Sequence, residues 1–195
     1  MKRTILLLSG VILMFGITST NLSSQTGLQF YGGLTKATNN SNLITPEGSS
    51  QNGWHIGADA RLNEGKMYFI VGLQYHKINL IPSVSDTIVL SDSPKYGWTK
   101  FRVGLGYKVI NFSEHIFLRG HTLASFNLTN SVPSDAGPGV YTNYNSGTAG
   151  ANLGLGLDIY NFTITAAYEI GFFNLGSMLE GSEMNFLTLS AGYKI

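Results

Sequence analysis

Between Trp54 and the C-terminus, apolar side chains recur at every second residue. The last ten residues show it most plainly. Leu187, Leu189, Ala191, Tyr193 and Ile195 alternate with Thr188, Ser190, Gly192 and Lys194. A period of two gives a strand two chemically different faces, and it is incompatible with an amphipathic helix. The same pattern runs through Phe162–Phe172, Ala151–Ile159, Ile116–Asn127, Phe101–Val109, Phe69–His76 and Trp54–Leu62. A weaker version spans Leu28–Thr35. The chain therefore reads as all-β, with eight strands of roughly 9–12 residues.

The connections alternate in length. Residues 63–66, 110–114 and 160–161 form short turns, whereas 37–52, 80–95, 128–146 and 174–184 are long and rich in Ser, Asn, Gly, Thr and Asp. The five prolines (Pro46, Pro82, Pro94, Pro133 and Pro138) fall in the first three long segments. Proline cannot donate to a β-ladder, so its absence from all eight strands supports this division. Long loops at every second connection match outer-membrane barrels, which have short periplasmic turns and longer external loops.

An even number of antiparallel strands can close into an up-and-down barrel. Alternation does not say which face is inside. A secreted lipocalin-like binding barrel buries the apolar face, and a transmembrane barrel turns it toward lipid. Three features favour the second. The polar face carries Gly33, Gly57, Gly72, Gly104, Gly106, Gly154, Gly156, Gly171 and Gly192. Small residues suit a crowded lumen, whereas a solvated face normally carries long charged side chains. Charged residues make up 12% of the chain, against the ~25–35% expected on a soluble surface. Aromatic residues of the apolar face gather near strand ends, as in interfacial girdles. Trp54, Tyr75, Phe126 and Phe172 lie toward the long loops, and Phe69, Tyr107, Phe162 and Tyr193 toward the short turns.

The N-terminal segment reads as an address. Lys2 and Arg3 precede an apolar run from Ile5 to Ile17 and a small, polar stretch from Thr18 to Ser24. This is the layout of a secretory signal peptide, and the run is shorter than the ~20 residues of a membrane-spanning helix. Residues 1–24 are read as the signal peptide and 25–195 as the barrel.

The signal peptide, the eight-strand hairpin pattern and the final segment Phe186–Ile195 resemble the PorT-like outer-membrane β-barrel family of Gram-negative bacteria. Gly53-Trp-His-Ile-Gly57, Gly104-Leu-Gly-Tyr-Lys108 and Gly154-Leu-Gly-Leu-Asp-Ile-Tyr160 are similar to strand segments of that family. The resemblance implies outer-membrane lipid and the barrel assembly machinery as partners. Leu189, Tyr193 and Ile195 would carry the assembly signal, with Ile195 in place of the usual terminal aromatic residue.

The polar face would enclose a charge network of Asp59, Arg61, Lys100, Arg102, Arg119, His121, Asp158 and Glu169, with His76 and Lys108 nearby. Eight strands enclose little more than their own side chains, so these charges are expected to pair and plug the lumen. Counted from the short turns, Arg102 and Glu169 reach similar heights and are the expected partners. The alternative reading is an ion path or a proton-coupled site.

No catalytic or metal constellation stands out. Cysteine is absent, and none of His55, His76, His115 and His121 has metal-ligand spacing. His55 and His76 reach toward the outer rim in this reading. The long loops hold Glu47, Asp86, Asp92, Asp135, Glu180 and Glu183 with many serines but no histidine, and nothing implies a cofactor. Twelve Lys+Arg against eleven Asp+Glu leave no basic excess for a nucleic acid. The expected function is a non-enzymatic outer-membrane barrel presenting external loops for an envelope structural, adhesion or assembly role, through an envelope or host partner. A small transport pore and a loop-based hydrolase are the alternatives.

Overall fold

The computed structural model describes residues 27–38, 51–63, 65–79, 95–131, 145–174 and 183–195. The expected signal peptide, the five prolines, and Glu47, Asp86, Asp92, Asp135 and Glu180 lie outside them. The described residues form eight strands: β1 (Gly27–Thr38), β2 (Gln51–Leu62), β3 (Met67–Asn79), β4 (Lys95–Ser113), β5 (Ile116–Ser131), β6 (Gly147–Ile159), β7 (Phe162–Gly171) and β8 (Asn185–Lys194). Each pairs antiparallel with its neighbours in sequence, and β1 pairs with β8 from Gln29↔Lys194 to Thr38↔Asn185. The sheet is thus a closed up-and-down barrel. Leu28 and Ile195 complete the seam by exchanging backbone hydrogen bonds of 3.0 and 2.8 Å. Closure gives every strand two partners and leaves no edge.

The longest hairpin departs from the expected lengths. β4 has 19 residues and β5 has 16. β4 continues through the segment expected to turn at 110–114 and ends at Ser113. Register shifts between Lys108 and Ile110 and between Asn111 and Ser113 make this possible. Each bulge adds an unpaired residue and breaks the strict alternation, so the sequence pattern fades before the ladder does. At the β6–β7 turn, Tyr160 adopts a left-handed conformation with φ of 54°. Its ring stacks on His115 at 4.9 Å, and its N–H donates to the His115 carbonyl.

The apolar face points outward. Leu34, Phe69, Leu155, Phe162 and Leu189 are each more than half exposed, and all eight girdle aromatics face the same way. Charged and polar side chains fill the interior: Arg61, Lys100, Arg119, Asp158 and Glu169 are all buried. This is the inversion that distinguishes a membrane barrel from a soluble one.

Cross-strand pairing accounts for four of the inward glycines. Tyr31 lies opposite Gly57, Tyr68 opposite Gly106, His121 opposite Gly154 and Arg119 opposite Gly156. Each large inward side chain occupies the space its partner lacks. A Cβ at Gly156 would sit 2.7 Å from Arg119 Cζ, and one at Gly106 would fall on the Tyr68 ring. We expect Gly106→Val to destabilise the barrel by about 1–3 kcal/mol through overpacking. Urea titration in detergent micelles measures this. Adding Tyr68→Ala should reduce the penalty, and purely additive losses would refute the pairing.

Candidate functional site

Among the described residues, the charged side chains of the strands converge in the interior. Near the short-turn end, Asp158 on β6 is shared by two arginines. Arg61 Nη1 on β2 donates to Oδ2 at 2.5 Å, and Arg119 Nε on β5 donates to Oδ1 at 2.8 Å. Arg61 also donates to Gln29 Oε1, and Arg119 Nη2 donates to Thr165 Oγ1 at 2.6 Å. Beside this cluster, Arg102 Nη2 on β4 donates to both oxygens of Asp59, at 2.8 and 2.6 Å, and to Tyr31 Oη at 2.5 Å. His121 Nε2 lies 3.1 Å from Asn152 Oδ1.

Nearer the long loops, Lys100 Nζ donates to Glu169 Oε1 at 2.9 Å, and Asn127 Nδ2 donates to the same oxygen at 3.2 Å. Lys100 Nζ also lies 3.6 Å from the centre of the Phe186 ring. Trp98 meets Phe186 edge-on at 5.7 Å. Together Lys100, Trp98 and Phe186 stopper this end.

The expected pairing of Arg102 with Glu169 is therefore replaced by Arg102–Asp59 and Lys100–Glu169. Barrel strands tilt by ~35–45°, so equal counts from a turn do not give equal heights on distant strands. His55 and His76 do not reach the rim. They stack at 5.0 Å inside the barrel and are 1% and 0% exposed. Thr35 Oγ1 lies 2.8 Å from His55 Nδ1, and Ser190 Oγ lies 2.7 Å from His55 Nε2. The other charged residues are placed by the same network: Arg61, Arg119 and Asp158 share one cluster, with His121 adjoining it through a 3.5 Å contact to Arg119.

Sequence reading did not assign the inward aromatics Tyr31, Tyr68, Trp98, Phe117 and Phe186. Their position parity carried the signal, because each stands in step with the polar face of its strand. Leu189, Tyr193 and Ile195 lie on the outward face, with Tyr193 edge-on to Phe162 at 5.3 Å.

The cavity left among Tyr31, Asp59, Arg61, Arg102, Arg119 and His121 has a volume of ≈ 20 Å³. That is room for about one water. Among the described residues, no cluster of three His, Asp or Glu is placed to hold a metal ion.

An inverted, closed, charge-filled barrel of eight strands is the architecture of the small outer-membrane β-barrels. No known family model and no curated protein matches the sequence. One solved structure matches in fold, and a second is similar over most of its length. Neisserial surface protein A (NspA) is similar with a TM-score of 0.59 and 15% identity, over 87% of this chain and 96% of that one. Ail, the attachment invasion locus protein of Yersinia pestis, crystallised with the heparin analogue sucrose octasulfate, gives a TM-score of 0.47 at 15% identity. That match covers 88% of this chain and 99% of Ail.

Proposed function

We propose that this protein is a non-enzymatic barrel of the bacterial outer membrane, delivered by a signal peptide over residues 1–24. In this reading the barrel anchors segments 39–50, 80–94, 132–144 and 175–182 on the external side, for an envelope structural, adhesion or assembly role. The barrel assembly machinery would insert it, and an envelope or host partner would meet the loops. The strand segments around Trp54, Leu105 and Leu155 support placing it with the PorT-like barrels.

One observation carries this reading: the lumen is filled. Three ion-paired clusters and an aromatic stopper leave a cavity of only ≈ 20 Å³. A filled lumen leaves the loops and the outer wall for function. The protein reconstituted in planar bilayers should show no steady single-channel conductance. On intact cells, added protease should cut within 39–50, 80–94 and 132–144. Unheated protein should migrate faster than boiled protein on a detergent gel, because closure leaves no strand unpaired. A steady conductance would replace the anchor with a pore. Recovery as a detergent-free periplasmic monomer would favour the lipocalin-like barrel.

A further inference from the structure

The outward wall carries almost no charge. Along the outward positions of the eight strands with described side chains, two residues are charged: Lys36 on β1 and Lys77 on β3. Both are lysines, and both lie at the long-loop end. They flank one patch of β2. Lys36 pairs with Asn52, and Lys77 pairs with Trp54, two residues along the same strand. Trp54 is 43% exposed, and its ring packs against Tyr75 at 5.8 Å. Leu34, directly across from Trp54 on β1, is 69% exposed. Strand spacing of ~4.8 Å and a rise of ~3.4 Å per residue put the two lysine Cα atoms roughly 12 Å apart.

We propose that Lys36, Lys77 and Trp54 form a docking site for the phosphate of an anionic lipid headgroup in the external leaflet. The proposal rests on the membrane reading above. An apolar wall selects against charge, so charges kept on it need a counter-charge or a route to water. Among the described residues, neither lysine makes an ion pair. A phosphate-bearing headgroup offers negative charge at the height where these ammonium groups emerge. Trp54, Tyr75 and Leu34 supply an amphipathic and apolar floor for the glycerol and upper acyl chain, as interfacial aromatics do. The arrangement is one-sided: β4–β8 present no outward charge at this end among their described side chains. Lipid would therefore be held at one sector of the barrel rather than around its whole rim.

Trp54 reports directly on this site. The chain has two tryptophans, and Trp98 is buried inside the barrel, away from lipid. The full barrel would be inserted in phosphatidylcholine vesicles, and Trp54 quenching titrated with phosphatidic acid carrying brominated chains. Phosphatidylcholine with the same chains is the neutral control. With ~1 kcal/mol per lysine near a phosphate, reduced by screening, phosphatidic acid should quench at about tenfold lower mole fraction than phosphatidylcholine. The double variant Lys36→Gln with Lys77→Gln should bring that ratio close to one and leave quenching by phosphatidylcholine unchanged. A ratio near one in the parent, or a tenfold ratio that survives in the variant, overturns the site. The first outcome would mean that the lysines only extend to water. Absence of quenching by either lipid, with protein released by a carbonate wash, overturns the membrane reading and this proposal with it.

Discussion

Replacing Asp158 by Asn should cost the barrel about 3–5 kcal/mol, the usual result of leaving buried charge unpaired. Asp158 is the most exposed of the three carboxylates to this effect because it answers two arginines, one on each oxygen. It is fully buried, and the neighbouring cavity of ≈ 20 Å³ admits too little water to take its place. Asn keeps the volume and can still accept a hydrogen bond, so the loss isolates the charge. The triple change Arg61→Met, Arg119→Met and Asp158→Leu should recover most of it, since apolar residues of similar size need no partner. Urea unfolding in detergent micelles, followed by Trp fluorescence, reads both variants. A loss below about 1 kcal/mol for Asp158→Asn would mean that the lumen is solvated, and would reopen the question of conduction.

The second large effect concerns partner choice. Asp59→Asn and Arg102→Met should each be strongly destabilising. The double variant should lose less than the sum, with a coupling of about 1–3 kcal/mol. The equivalent cycle for Lys100 and Glu169 should behave in the same way, because their contact is likewise buried. A cycle between Arg102 and Glu169 should give a clearly smaller coupling, since no hydrogen bond joins them and each already has its own partner. If the Arg102–Glu169 coupling equals that of Arg102–Asp59, the lumen is a diffuse charge cloud and not a set of discrete pairs.

Much of the barrel is legible in the sequence. Hydrophobic alternation is a local property: whether Leu155 and Gly154 point to opposite faces follows from the pleat of one strand. The short turns at 63–66 and 160–161 followed from breaks in that alternation for the same reason. The assignment of Asp59, Arg61, Lys100, Arg102, Arg119, Asp158 and Glu169 to one face needed only parity. The inward aromatics Tyr68 and Trp98 share that parity, but their residue type matches the apolar face, so position and chemistry point opposite ways. The β4–β5 turn was misplaced because bulges near Ile110 break the period that marks a strand.

Pairing across the lumen belonged to another scale. Which charges meet depends on strand tilt, on the stagger at the β1–β8 seam and on side-chain length, and none of these is encoded within a single strand. Arg102 reaches Asp59, 43 residues away, over a single intervening strand: both stand opposite Gly72 of β3, whose missing side chain leaves room for the pair. His55 and His76, which parity places on the polar face and counting toward a loop brings near the rim, stack inside the barrel, with His76 against Phe186, which in turn meets Trp98 edge-on. The alternation of the chain determined a two-faced, eight-stranded sheet with charge on one side. Closure of that sheet brought Arg61 to Asp158 and Lys100 to Glu169 and left the lumen filled, because eight tilted strands bring opposite walls within one side chain of each other.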